Sequence, residues 1–213
     1  MKTAVFYFTG TGNNLYIAKK LQTGLENTHL YPFYCLDENP ELVNQYERII
    51  YCAPVYYSHV PPYVIDTLNK IIYTSEKEII TIVACGGNRG HAIEDIRETI
   101  SMSGQKVVGE YMIVLPGNYI LSYGAFPKLY QQFTNYLADR KMNEIIRRIK
   151  SHSIDVQKKT GMFYKKENEP RLMEAIHSFE KIGQQYEIAE SCVGCGICVL
   201  NIFNIHLNND IGF

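Results

Sequence analysis

TAVFYFTGTGNNLYIAKKLQTGL, residues 3–25, divides into three parts. Residues 3–8 are an apolar, aromatic run of strand character that breaks at Gly10 and Gly12. From residue 13 onward Leu15, Ala18, Leu21 and Leu25 recur at helical spacing. The reading is strand, tight loop, helix. Glycines let such a loop turn sharply, and the helix start turns free N–H groups and a positive dipole end outward. Thr9, Thr11, Asn13 and Asn14 add side-chain donors. These are the parts of a phosphate cradle. The loop lacks the Gly-Lys-Ser/Thr ending of a nucleotide-hydrolysing loop, and Leu15 stands where G-x-G-x-x-G requires its third glycine, which counts against ATPase and dinucleotide readings. A glycine-rich turn with an Asn helix cap and no ligand is the plainer alternative.

The same alternation continues outward. Residues 48–55 (RIIYCAPV) lead through a turn to PPYVIDTLNKII (61–72). Residues 78–85 (EIITIVAC) lead through GGNRG to HAIEDIRETISMSG (91–104), and KVVGEYMIVL (106–115) precedes PGNY and an amphipathic segment over 126–150. HLYPFYCL (29–36) is a weaker strand interrupted by Pro32. Strands that are apolar on both faces and alternate with helices predict an α/β fold, a doubly wound five-stranded parallel sheet covered on both sides. Right-handed crossovers leave few topologies for it, and ligands in this class bind beyond the carboxyl ends of the strands.

Composition narrows the function classes. The net charge of −1 and pI of about 6.6 lack the basic footprint of a nucleic-acid binder. No run approaches the ~20 apolar residues of a membrane span, and the opening residues are too short for a signal peptide, so the expected location is the cytoplasm. Six cysteines without a secretory signal point to metal or redox chemistry rather than to a disulfide framework. Cys35, Cys52 and Cys85 each read as a small buried apolar residue. His59 and His91 read as surface histidines without a catalytic role.

YFTGTGNN after the first strand, APVYYSHVPP after the third and CGGNRG after the fourth, in that order, resemble flavodoxin over roughly the first 150 residues. The resemblance implies FMN at the point where the winding of the sheet reverses. Its phosphate would be held by Thr9, Gly10, Thr11, Gly12, Asn13 and Asn14, where Asn14 replaces the usual hydroxyl residue and can still donate from its amide. Val55, Tyr56, Tyr57 and Ser58 would cover the isoalloxazine ring. With no Trp in the chain, one of the two tyrosines would supply any stacking face. Gly86, Gly87 and Asn88 would meet the ring edge, and residues 117–119 would close the far side.

From about residue 151 the alternation stops. A charged connector with one short helix near 171–182 leads to ESCVGCGICVLNIFN, residues 190–204, where Cys192, Cys195 and Cys198 form C-x-x-C-x-x-C. Thiolates at that spacing suit an iron–sulfur cluster better than zinc. The segment resembles the first half of a bacterial two-cluster ferredoxin, and a flavodoxin-like domain followed by such a module is itself a known arrangement. Ile202 stands where that pattern has its fourth cysteine, and no second run follows to complete the first site. Three thiolates fit a three-iron cluster, a four-iron cluster completed by water, a small ligand or another chain, or no stable cluster. His206 and Asp210 are substitute ligands of lower rank.

The division is then 1–152 for the FMN-binding domain, 153–186 for the connector and 187–213 for an incomplete ferredoxin-like segment. The expected function is electron transfer through FMN, with the cluster relaying single electrons to or from a redox protein partner, and no residue takes a catalytic acid or base role. A reductase acting on a small substrate such as a quinone is one alternative. A non-redox binding module with a degenerate cluster site is the other.

Overall fold

A computed structural model describes residues 1–117 and 124–156. Five parallel strands form one sheet in the order β2-β1-β3-β4-β5, from Thr3–Tyr7 (β1), Thr28–Pro32 (β2), Arg48–Pro54 (β3), Glu78–Cys85 (β4) and Val107–Val114 (β5). The helices are Asn13–Gly24 (α1), Tyr34–Glu38 (α2), Pro62–Asn69 (α3), Ala92–Met102 (α4) and Lys128–Lys150 (α5), with a 3-10 turn at Pro40–Gln45. This is the doubly wound α/β architecture expected from the sequence.

The pattern of burial explains the layers. Every residue of β1 and β3 is buried, as are seven of the eight in β4, because helices cover both faces of the central strands. On one face Ile17, Ala18 and Leu21 of α1 and Ala138, Met142, Ile145 and Ile149 of α5 pack on Val5, Ile50, Ile82 and Ile113. On the other, Val64 and Leu68 of α3 and Ile93, Ile96 and Ile100 of α4 pack on Phe6, Ile49, Tyr51 and Val83. Between α4 and β5 the guanidinium of Arg97 grips the buried Glu110 through two hydrogen bonds of 2.5 and 2.6 Å.

One strand differs from expectation. The run 29–36 supplies only Thr28–Pro32 to the sheet, and Tyr34–Glu38 is a short helix. Phe33 donates its N–H to the Tyr7 carbonyl at 3.0 Å, the last step of the ladder, and then adopts helical dihedrals (φ −59°, ψ −29°). β2 is the edge strand of the sheet, and Leu36 is buried from the helix that follows it rather than from the strand.

The order of strands fixes the position of any ligand. The chain leaves β1 toward one side to form β2 and later passes to the other side to form β3, so the loops after β1 and β3 diverge at the carboxyl edge and leave a crevice between them.

Candidate functional site

Four loops meet at this edge. The first, residues 8–12, is shaped by glycine and by one hydroxyl. Gly12 takes φ +94°, a left-handed conformation in which a side chain is strained, and its N–H donates to Thr9 Oγ1 at 2.9 Å. Thr9 is buried as a result. Gly12 is also the N-cap of α1; no side chain caps that helix, and no acidic residue lies in its first turn. The N–H groups and dipole of a twelve-residue helix are thus left for an anion. Asn14, only 1 % exposed, keeps its carboxamide oxygen without a hydrogen-bond partner among the described residues. A Cβ built on Gly12 or on Gly87 would meet nothing within 4 Å, so both border open space. The uncapped start of α1 and the open space beside Gly12 fit a phosphate group, whereas the Asn14 oxygen, an acceptor, calls for a donor.

The second loop, residues 55–60, is a tight reversal. Tyr56 and His59 exchange backbone hydrogen bonds of 2.8 and 3.0 Å, and the two residues between them, Tyr57 and Ser58, have φ values of +48° and +75°. Turns with positive φ at both central positions normally carry Asn or Gly. A tyrosine there is held against its preference, a feature that clusters at ligand clamps. Tyr56 reaches back across the crevice, its hydroxyl 2.6 Å from where a Cβ on Gly10 would lie, so a side chain at Gly10 would displace that hydroxyl. Both tyrosines keep about a third of their surface exposed (37 % each) and so remain open to a ligand.

What holds the reversal comes from the start of α4. Asp95 accepts a hydrogen bond from the Val60 N–H at 3.1 Å and faces His59 Nδ1 at 3.1 Å from both of its oxygens. His91 donates its backbone N–H to the Ser58 carbonyl at 2.6 Å, and its ring stacks on that of His59 with centroids 5.5 Å apart. Burial pushes the Asp95 carboxyl above its ordinary value, against the opposing pull of His59, the Val60 N–H and His91. Gly90 (φ +53°) lies so close under the turn that a Cβ would overlap the carbonyl oxygen and Cα of Ser58.

The third loop, residues 86–88, is exposed. Asn88 accepts from the Gly90 N–H at 3.0 Å, which closes a local turn and leaves the Asn88 amide group for other partners. A Cβ on Gly86 would stand 3.4 Å from the Gly117 Cα, so the third loop borders the fourth, which leaves β5 and is described over residues 115–117. Arg89, buried behind this loop, holds Glu94 through hydrogen bonds of 2.5 and 3.1 Å. Asn13 reaches the Pro116 carbonyl from the first loop at 3.5 Å.

All thirteen residues predicted for cofactor contact therefore sit in loops at one edge of the sheet or, for Asn13 and Asn14, on the first turn of α1. Residues 118 and 119 lie outside the described residues, as do Cys192, Cys195, Cys198, His206 and Asp210. Among the described residues no group of three or more His, Cys, Asp or Glu could hold a metal ion, and no helix is long and apolar enough to cross a membrane. Cys52 and Cys85 are buried as expected, and burial raises both thiols; Cys35, on α2, is only half-buried. The sequence reading missed His59, His91, Asp95 and Gly90 as supports of the second loop. One signal was present: His91 and Asp95 stand four apart at the start of a helix, and so share a face.

The comparisons with known proteins agree with this architecture. A family model described as flavodoxin domain matches residues 4–150. Among solved structures, oxidised flavodoxin 2 from Bacillus cereus superposes with a TM-score of 0.53 at 15% identity, over 71% of this chain and 99% of that one. Oxidised flavodoxin 1 from Bacillus cereus gives 0.52 at 16% identity, over 71% and 99%. The Fusobacterium nucleatum flavodoxin, a structure bound to flavin mononucleotide, gives 0.51 at 19% identity, again over 71% and 99%. At these identities the likeness shows the fold. No curated protein matches the chain.

Proposed function

The chain belongs to the flavodoxin family, and from that premise we propose that its domain, residues 1–152, binds FMN at the carboxyl edge of the sheet and carries electrons between redox partners. One observation carries the reading. The start of α1 has neither a side-chain cap nor an acidic residue, and it opens beside the glycine loop into space that a Cβ on Gly12 would leave unfilled.

FMN supplies one- and two-electron redox chemistry when bound. Residues 9–14 hold its phosphate, through the N–H groups of the loop and first helical turn and through the side chains of Thr11, Asn13 and Asn14. Tyr56, whose hydroxyl lies over Gly10, belongs to the phosphate end of the site, which leaves Tyr57 at the tip of the turn to lie against the ring. Val55 and Ser58 flank it. Gly86, Gly87 and Asn88 would offer backbone N–H groups and an amide to the ring edge. None of these residues needs to donate or remove a proton, so the protein acts as a carrier.

The tail extends this function. Cys192, Cys195 and Cys198 supply three soft ligands for an iron–sulfur cluster that passes single electrons to or from a redox protein. Full-length protein purified without oxygen, stripped of flavin and titrated with FMN and with riboflavin, tests the site. A preference for FMN of about a hundredfold or more is expected from a charge-assisted phosphate cradle. Equal affinities would remove the cradle and with it the reading. Iron and acid-labile sulfide in matching amounts in the same sample support the cluster; their absence restricts electron transfer to the flavin domain.

A further inference from the structure

Two different faces of α5 are apolar. Thr134, Ala138, Met142, Ile145 and Ile149 form the buried face, which lies on the sheet. A second set, Leu129, Tyr130, Phe133, Tyr136 and Leu137, occupies only the first half of the helix. At about 100° per residue these five fall within an arc of roughly 120°, centred about 140° away from the buried face. Leu129 is 81% exposed, Phe133 62%, Tyr136 58% and Leu137 46%. A helix that covers a sheet ordinarily turns polar side chains outward. A continuous outward stripe of large apolar groups marks a surface that binds something.

The path of the chain identifies the occupant. After Lys150 the backbone reverses at His152 (φ +51°), Ile154 comes to lie against Gly109, and the Glu110 N–H donates to the Asp155 carbonyl at 3.0 Å. Residues 154 and 155 thus follow residues 109 and 110 of β5 in the direction of that strand, toward the carboxyl edge. The first half of α5 stands at that edge, because α5 runs opposite to the strands. Ile154 also joins the same apolar cluster as α5, so the tail sets out on α5's side of the sheet. Downstream, residues 171–182 read RLMEAIHSFEKI. Plotted at helical spacing, Leu172, Ala175, Ile176, Phe179 and Ile182 share an arc of about 120°, with Glu180 and Met173 beyond Ile176 at one border, opposite Glu174, His177, Ser178 and Lys181.

A helix of twelve residues is marginal in water without a surface to pack on. The fourteen residues that separate it from Val156 can span up to about 50 Å, against a stripe only ~12 Å long, so reach imposes no limit. Tethering also gives the segment an effective concentration on the order of millimolar, well above that of a second copy at ordinary protein concentrations. We propose that the apolar stripe on the first half of α5 is the docking surface for residues 171–182 of the same chain. Docked there, the segment leaves Cys192 ten residues further along the chain from the carboxyl edge of the sheet. The inference goes beyond the FMN reading and does not depend on it, since it concerns packing alone.

Hydrogen exchange of the full chain, followed by mass spectrometry, tests the docking in wild type and in the double variant Leu129→Glu/Phe133→Glu. Peptides covering 126–137 and 171–182 should both be protected in wild type, and both should exchange about tenfold faster or more in the variant while β1 and β4 remain unchanged. Exchange of 171–182 at the rate of an unstructured peptide in wild type, or protection unaltered by the variant, would overturn the proposal. So would protection that grows with protein concentration alongside dimer formation, because a second copy would then occupy the stripe. If β1 and β4 also lose protection, a benzophenone side chain placed at Tyr136 of the otherwise unaltered chain decides. Photo-cross-links to 171–182 within one chain support docking, and links only between chains or only to other segments refute it.

Discussion

The first and second loops of the crevice face one another across a few ångströms, yet they are held by different means. The loop of residues 8–12 supports itself: Thr9 closes it, Gly12 supplies the left-handed backbone, and the start of α1 provides the donors. The loop of residues 55–60 forces Tyr57 and Ser58 into the left-handed region and keeps them there with groups that lie more than thirty positions later in the chain, Gly90, His91 and Asp95. Phosphate recognition calls for backbone N–H groups, which a local glycine motif can present. Covering an aromatic ring calls for a large side chain at a fixed angle, and a strained turn holds such a side chain only if remote structure supports it.

The largest expected effect comes from removing the close approach beneath the second loop. Gly90→Ala adds a Cβ at a left-handed position and drives it into the Ser58 backbone, which cannot move without breaking the Tyr56–His59 pairing. A loss of about 3 kcal/mol or more is expected in urea unfolding, together with weakened FMN binding. A variant of near-normal stability would show that the turn is loosely held and that the contrast between the loops is false.

Removal of the carboxylate comes next. Asp95→Ala leaves the Val60 N–H and His59 Nδ1 without their acceptor, at a cost of about 1–3 kcal/mol. The pH dependence has a definite sign. Because burial raises the Asp95 carboxyl in the folded protein, the folded state holds that proton more tightly than the unfolded chain. Its contribution is full below the unfolded value of about 3.9 and falls as pH rises through the folded value. The stability gap between wild type and Asp95→Ala should therefore be wider near pH 4 than at pH 7. A gap that widens toward pH 7 would mean that the hydrogen bonds to the carboxylate from the Val60 N–H and His59 outweigh burial.

The same contrast explains how far the sequence could be read. The parallel sheet was legible because the runs at 3–8, 48–55, 78–85 and 106–115 are apolar on both faces and separated by helical periods. The tight turn from β1 into α1 was legible because its signal lies within seven consecutive residues. At 29–36 the reading failed beyond Pro32, since periodicity in a short aromatic run does not separate a strand from a helical turn at a sheet edge. The support of the second loop was not legible either. His59 and Asp95 are thirty-six positions apart, and only the packing of α4 beside the turn brings them together. Gly90 resembles any loop glycine until the Ser58 carbonyl is seen against it.

The smallest predicted effect is also the sharpest, because stability and binding should move in opposite directions. Tyr57 pays a conformational penalty at φ +48° that glycine would not. Tyr57→Gly relieves that strain but enlarges the freedom of the unfolded chain and removes a side chain already 37% exposed, so the net change in stability should be a gain of about 0.5–1 kcal/mol at most. If this tyrosine lies against the flavin ring, FMN affinity should fall about tenfold or more while riboflavin and FMN lose in equal proportion, since the phosphate cradle is untouched. Lower stability with unchanged affinity would assign Tyr57 to packing and leave Tyr56 as the aromatic partner of the ring. A gain in stability paid for in affinity is the outcome expected of a turn kept strained by its neighbours for the sake of what it covers.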